Sequence, residues 1–263
     1  MAGRPFLVDR EDSTAIVTIN RHVQRNSVSF EMWEAFPDYI KELDADPSVR
    51  VIVLTGAGDK AFASGADISE FHSKRTGRDA AALYHRAVEA TMTSLEATGK
   101  PVLAMVNGYA LGGGCELAVA CDLRIAAESA SFGIPSAKLG LVISFTDTKR
   151  LVDLVGPAVA KEMLMSGRRL SAQEALRVGL VNQVVPDPSL RQATLDLAAA
   201  IGANAPYSVA SAKAMVNHCR KDLDLSAVDP IDADRPLRCY ETEDFREGVK
   251  AFLEKRPPGF IGR

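Results

Sequence analysis

The chain has 263 residues, room for one large domain or for one domain with a small appendage. Its composition, 47% hydrophobic and 25% charged, is that of an average globular protein and excludes the disordered, collagen-like and coiled-coil classes. A net charge of -3 gives no overall basic field, so neither nucleic acid nor an anionic membrane is expected as a partner.

Residues 1–10 mix Arg4, Pro5, Asp9 and Arg10 and lack the apolar core of a signal peptide, so a cytoplasmic location is expected. Residues 14–20 alternate and are β-branched, which predicts a strand. Residues 29–43 carry Phe30, Trp33, Phe36, Ile40 and Leu43 at helical spacing, with Ser29 available as N-cap. Residues 49–55 form a β-branched run ending in Gly56, and residues 80–97 recover the helical period through Leu83, Ala87, Val88, Met92 and Leu95. The connection between them is glycine-rich, polar and long, and such connections usually carry a function.

A second cycle follows: a strand over 101–106, a glycine-rich loop over 107–114, a short apolar helix over 115–120 and a strand over 123–127. The apolar stretch 102–121 is broken by Asn107, Glu116 and glycines, too interrupted for a membrane span. Beyond about residue 146 the chain turns mostly helical, with helices near 148–155, 157–165, 172–178, 190–203, 209–217 and 242–255 and a strand near 181–185. The alternation predicts an α/β fold with largely buried strands, a core over 1–200 and a helical C-terminal segment over 201–263.

Chemistry-bearing motifs are few. Gly56-Ala57-Gly58-Asp59-Lys60-Ala61 formally matches a dinucleotide fingerprint, but the residues after it start no amphipathic helix, so that match is set aside. Cys115, Cys121, Cys219 and Cys239 fall at no CxxC spacing and read as buried, reduced thiols. His22, His72, His85 and His218 are scattered, so no metal is expected. The strongest candidate is Asn107-Gly108-Tyr109-Ala110-Leu111-Gly112-Gly113-Gly114-Cys115-Glu116, where three glycines run straight into a helix. Glycines let a ligand approach the backbone, and the first free N–H groups of a helix suit an anionic oxygen. Glu116 sits beside those donors, and a base next to an oxyanion hole suits enolate chemistry. The same residues also suit tight helix packing and an ordinary first-turn carboxylate. Ser64-Gly65-Ala66-Asp67-Ile68 offers either a further backbone donor or a simple turn capped by Asp67.

Taken with Ile19-Asn20-Arg21, Arg25-Asn26-Ser27, Phe62-Ala63, Lys100-Pro101, Leu117-Ala118, Cys121-Asp122, Phe132-Gly133, Leu139-Gly140, Leu170-Ser171-Ala172 and Glu254-Lys255-Arg256, these two segments resemble the enoyl-CoA hydratase/isomerase, or crotonase, family nearly end to end. The resemblance implies a spiral of repeated β-β-α units, a C-terminal helical part used in trimerisation, and a homotrimer or dimer of trimers. It implies an acyl-CoA thioester as substrate, with coenzyme A present as part of that substrate and no permanently bound cofactor. By similarity, Ala66 and Gly113 donate backbone N–H groups to the thioester oxygen, with Gly112 beside them. Arg25, Ala63, Asp67 and Ile68 would line the coenzyme path, and Lys255 and Arg256 would reach a neighbour's phosphates.

Family hydratases use two glutamates around one water, and Glu116 stands at the position of the first. Ser136 stands at the second, and a serine is not a proton-donating carboxylic acid. Ser144 occupies the place of an aspartate used by some isomerases, within Ile143-Ser144-Phe145-Thr146-Asp147, which predicts a bulkier acyl-pocket wall. Asp147 is either a substitute acid or a first-turn residue facing the helix dipole. The expected activity is enoyl-CoA hydration. Isomerisation, decarboxylation, thioester hydrolysis or plain acyl-CoA binding stand as alternatives.

Overall fold

The β-branched runs of the first half gather into one sheet. In the computed structural model, which describes residues 4–221 and 228–263, β1 (Phe6–Glu11) pairs antiparallel with β2 (Thr14–Ile19). The strands β3 (Val51–Gly56), β5 (Val102–Val106), β7 (Leu123–Ala127) and β10 (Gln183–Val185) then add in parallel beside β2. A second, four-stranded sheet consists of β4 (Ala61–Ala63), β6 (Tyr109–Leu111), β8 (Ser131–Gly133) and β9 (Leu170–Ser171). Each long parallel strand from β3 to β7 is followed by a short strand of the second sheet and then by helix, which is the repeated β-β-α turn that the resemblance implies.

Every residue of β3 and β5 is buried, as expected of parallel strands covered on both faces. Their period of two divides the apolar run: Ile52, Leu54, Val102 and Ala104 enter the main core, while Val51, Val53, Leu103 and Met105 face a smaller one. On the main-core side lie α1 (Phe30–Ala45), α3 (Arg78–Ala97), α4 (Gly113–Ala120), α5 (Phe145–Ser166) and α6 (Ala172–Arg177), with the short α2 (Phe71–Lys74) leading into α3. The other face is covered by α7 (Leu190–Gly202) through Leu190, Leu195 and Ala198. The chain ends in α8 (Pro206–Lys221), α9 (Pro230–Arg238) and α10 (Glu243–Glu254).

Local signals explain the boundaries. The Ser29 hydroxyl accepts from Met32 N–H at 3.3 Å and opens α1. The two predicted helices at 148–155 and 157–165 meet within α5 at Gly156, whose φ of +74° and ψ of 166° are not helical and separate them, and Ser144 opens the first by accepting from Asp147 N–H. The short strands β4, β6, β8 and β9, the antiparallel β1 and helix α9 lie outside the sequence expectations, the short strands because two or three residues carry no readable period. Gly56 leads into β4 rather than a helix, and a Cβ there would lie 2.2 Å from the Ala61 carbonyl oxygen, which agrees with setting the dinucleotide motif aside. The cysteine expectation holds for Cys115 and Cys121, but Cys219 on α8 is exposed and Cys239 after α9 is half-buried, because the C-terminal helices lie outside the core.

Candidate active site

The glycine segment turns sharply into α4. Gly112 takes φ +52°, where a side chain is strained, and a Cβ on Gly114 would lie 2.0 Å from the Ala63 carbonyl oxygen. The Gly112 carbonyl accepts from Cys115 and Glu116 N–H at 2.9 and 3.0 Å, so Gly113 is the first helical residue and its N–H has no intrahelical acceptor. Ala66 is bracketed by Val28, whose N–H donates to Gly65 O at 2.8 Å and whose carbonyl accepts from Asp67 N–H at 3.0 Å. That bridge leaves the N–H of Ala66 directed to its other side, where Gly113 lies: a Cβ on Gly113 would be 3.7 Å from the Ala66 nitrogen. Two backbone donors from different units thus sit side by side.

They open on a cavity of roughly 200 Å³ whose lining includes Trp33, Glu116, Ser136, Ser144 and Asp147. Three carboxyl groups face this space. Glu89 and Asp147 are held by the buried Arg150, whose Nη2 lies 3.0 Å from Glu89 Oε1 and whose Nη1 lies 2.9 Å from Asp147 Oδ1. The second Asp147 oxygen accepts from Ser144 Oγ at 2.6 Å. Arg150 also pairs with Glu96 at 3.1 Å, and Arg220 closes the cluster from α8. Glu116 has no side-chain hydrogen-bond or ion-pair partner among the described residues. Burial, and then the negative charge of Asp147, push its carboxyl up to about 8, against a weaker pull from Arg75 and Arg150. A carboxyl poised in that range exchanges protons readily near neutral pH.

The family model described as enoyl-CoA hydratase/isomerase matches residues 9–263. The chain belongs to the enoyl-CoA hydratase/isomerase family. It is 38% identical to the crotonyl-CoA hydratase of Syntrophomonas wolfei, with 100% of both chains covered. It is equally 38% identical to the short-chain-enoyl-CoA hydratase of Clostridium acetobutylicum, covering 98% of each. Among solved structures, an enoyl-CoA hydratase/carnithine racemase from Magnetospirillum magneticum superposes with a TM-score of 0.95 at 34% identity, covering 100% of this chain and 97% of the other.

Of the residues singled out by the family resemblance, Ala66, Ile68, Gly112, Gly113, Glu116, Ser136 and Ser144 come together in the cavity lining. Arg25, Ala63, Asp67, Phe145, Lys255 and Arg256 are not part of that lining. Ala63 is fully buried beneath Gly114, and Asp67 pairs with Arg21 at 2.9 Å while capping its own turn. Arg25 is exposed and holds a left-handed φ of 52°, and its carbonyl accepts from Ser64 N–H at 3.0 Å. Phe145, expected to bulk out the acyl wall, is 95% exposed, because the Ser144 cap turns the first residue of α5 outward. Lys255 ends α10 in a left-handed turn, and Arg256 is engaged by Glu247 at 2.6 Å and Glu254 at 2.7 Å. Asp147 is a first-turn residue of α5, and its carboxylate also lines the cavity with both oxygens engaged.

Sequence reasoning left out Trp33, Arg75, Tyr84, His85, Glu89 and Arg150. Trp33 Nε1–H donates to Tyr84 Oη at 3.0 Å, and burial pushes the Tyr84 hydroxyl up to about 12, so this pair stays neutral and structural. A usable signal was present: His85, Glu89 and Glu96 recur on one face of a helix whose other face is apolar.

Proposed function

We propose that the protein adds water across the 2,3-double bond of a 2-enoyl-CoA thioester, and runs the reverse dehydration, with Glu116 as the one mobile carboxyl group. The N–H groups of Ala66 and Gly113 donate to the thioester oxygen and draw electron density from the double bond, which makes Cβ electrophilic. The Glu116 carboxylate takes a proton from a water molecule as the water oxygen bonds to Cβ. The displaced electron pair passes through Cα to the thioester oxygen as an enolate. The protonated Glu116 then returns its proton to Cα, the oxygen's extra pair re-forms the carbonyl, and the 3-hydroxyacyl thioester results.

One group performs both transfers because a carboxyl raised by burial is a stronger base than an ordinary carboxylate and still an acid near neutral pH. Ser136 supplies a hydroxyl that orients the water without itself donating an acidic proton. Asp147 is spoken for on both oxygens and acts as a fixed charge. The carrying observation is the contrast between Glu116, unpartnered beside two free N–H donors, and the two other cavity carboxylates, both locked by Arg150.

Crotonyl-CoA hydration, followed by loss of the conjugated thioester absorbance, tests this on wild type and Glu116→Gln. The variant is expected to keep acyl-CoA binding by calorimetry and to lose about 10²- to 10⁴-fold in kcat, the usual contribution of a general acid-base group. Hydration that survives the substitution sinks the assignment. A lone carboxyl also favours one-base isomerisation of a 3-enoyl-CoA, in which Glu116 removes a proton from Cα and returns it at Cγ. A conjugated product from 3-enoyl-CoA without onward hydration would select that alternative.

For the rest of the coenzyme, the proposed path runs along Ser64 and Ile68 at the cavity rim toward Arg25, Ala63 and Asp67. Lys255 and Arg256 are proposed to meet a neighbour's phosphates, which requires Arg256 to exchange its Glu247 partner for the ligand. The division into a core over 1–200 and an oligomerisation segment over 201–263, giving a homotrimer or dimer of trimers, is supported by Ile231, Leu237, Phe252 and Leu253, which lie exposed on α9 and α10.

A further inference from the structure

Arg75 is the cavity's unanswered charge. It closes α2, with its backbone N–H donating to Phe71 O at 3.0 Å, and its guanidinium lines the same cavity as Glu116. Two rings hold it in place: its Cζ lies 4.7 Å from the Phe71 ring centre and 4.3 Å from that of Tyr84. Tyr84 is in turn fixed by Trp33. One guanidinium nitrogen lies 3.3 Å from His85 Nε2, a neutral acceptor, since burial and the Arg75 charge both lower the imidazole's pKa. Among the described residues no carboxylate comes within ion-pair distance of Arg75, although Glu89 and Asp147 line the same cavity, because Arg150 has taken both. The surrounding wall is apolar, with Phe71, Val88, Leu141 and Ile143.

An arginine does not shed its proton, and a half-buried guanidinium with most of its five donors unused calls for an anion of matching planar geometry. We infer that Arg75, oriented by Phe71, Tyr84 and His85, receives a carboxylate at the far end of the acyl chain, so that the preferred substrates are mono-CoA thioesters of dicarboxylic acids. Rigid aromatic support makes such a site ready before the ligand arrives. The anion belongs to the acyl group rather than to the phosphates of coenzyme A: Arg75 lines the same cavity as Glu116, Ala66 and Gly113, whereas the whole pantetheine arm separates the phosphates from the thioester.

The inference rests on the acyl-CoA assignment above, and its test avoids turnover. Calorimetry with two saturated, unreactive six-carbon thioesters, adipyl-CoA and hexanoyl-CoA, compares wild type with Arg75→Met and Arg75→Lys. Wild type is expected to bind adipyl-CoA at least tenfold tighter than hexanoyl-CoA, Arg75→Met to bring the ratio near one, and Arg75→Lys to keep part of the preference, because an ammonium retains the charge but not the fork. Equal binding of the two thioesters by wild type overturns the inference. So does an Arg75→Met variant that weakens both by the same factor, which would make Arg75 a counter-charge for the carboxyl cluster. Binding of neither thioester overturns the acyl-CoA assignment together with it. A preference for adipyl-CoA without any hydration of its 2-enoyl form leaves the inference standing and sinks only the hydratase proposal.

Discussion

The two walls of the cavity are built by different means. One is backbone: the Gly112–Glu116 turn and the Gly65–Ala66 bridge set the N–H groups of Gly113 and Ala66 side by side, in positions fixed by the left-handed Gly112 and by Gly65 and Gly114, where a Cβ would meet backbone oxygens. The other is side chain: Glu89 from α3 and Asp147 from α5 line it, and behind them Glu96, Arg150 and Arg220 complete one ion cluster that fixes which carboxyl stays free. The backbone wall is made of two short glycine-bearing segments and tolerates almost no change in shape. The side-chain wall is assembled from α3, α5 and α8 and tolerates changes in shape better than changes in charge, since its carboxylates and guanidinium groups offset one another.

Removing the hub should therefore cost the most. Arg150→Met removes the guanidinium shared by Glu89, Glu96 and Asp147 and leaves those carboxylates facing one another. Breaking a buried ion pair from one side typically destabilises by about 3–5 kcal/mol, and chemical denaturation of the variant against wild type reads that loss directly. A change below about 1 kcal/mol would mean that the cluster behaves like surface pairs and that the two walls do not differ in this way.

The matching change on the backbone wall is Gly114→Ala. The added methyl meets the Ala63 carbonyl oxygen at 2.0 Å, so α4 must shift away from β4. Overpacking of this kind costs about 1–3 kcal/mol, less than the hub, but it displaces Gly113 relative to Ala66 and so should lower kcat with little change in the urea m-value. A variant that loses stability with full kcat would show that the paired donors are not the oxyanion site.

How much of this was legible beforehand follows the same division. The turn into α4 with its first-turn carboxylate was readable because glycines running into an apolar helix leave a contiguous trace, whereas Ala66 entered only through the family resemblance. The long strands and helices were readable from their periods, as with Ile52 and Leu54 facing one core and Val51 and Val53 the other. Arg75 and Arg150 were not, because each looks like an ordinary solvated residue until the fold brings the end of α2 and the start of α5 beside α3, and the recurrence of His85 and Glu89 on one face of α3 takes on meaning only there. Phe145 was misplaced for a related reason: an aromatic residue in a pocket-wall segment suggests packing, yet the cap at Ser144 decides which way the first helical residue points.

The smallest effect is the most specific, because it links the two walls through charge alone. Glu116 is raised by burial and by Asp147, so Asp147→Asn removes the second cause and also leaves more of the Arg150 charge unneutralised. Both changes favour the Glu116 carboxylate. If hydration requires that carboxylate, kcat/KM of the wild type rises with pH through the raised value, and in Asp147→Asn the rise should move to lower pH by on the order of one unit, equivalent to about 1.4 kcal/mol. Stability has the opposite sense. A carboxyl whose folded value lies above its unfolded one favours the fold below about 4.5 and loses that contribution as pH climbs toward about 8, because the folded state holds a proton that the unfolded state has released. Glu116→Gln has no proton to release, so its melting temperature relative to wild type should improve between acid and mildly alkaline buffer. An unmoved rate profile in Asp147→Asn, together with a flat difference in melting temperature for Glu116→Gln, would mean that Glu116 titrates as an ordinary exposed carboxylate and that the side-chain wall does not tune it.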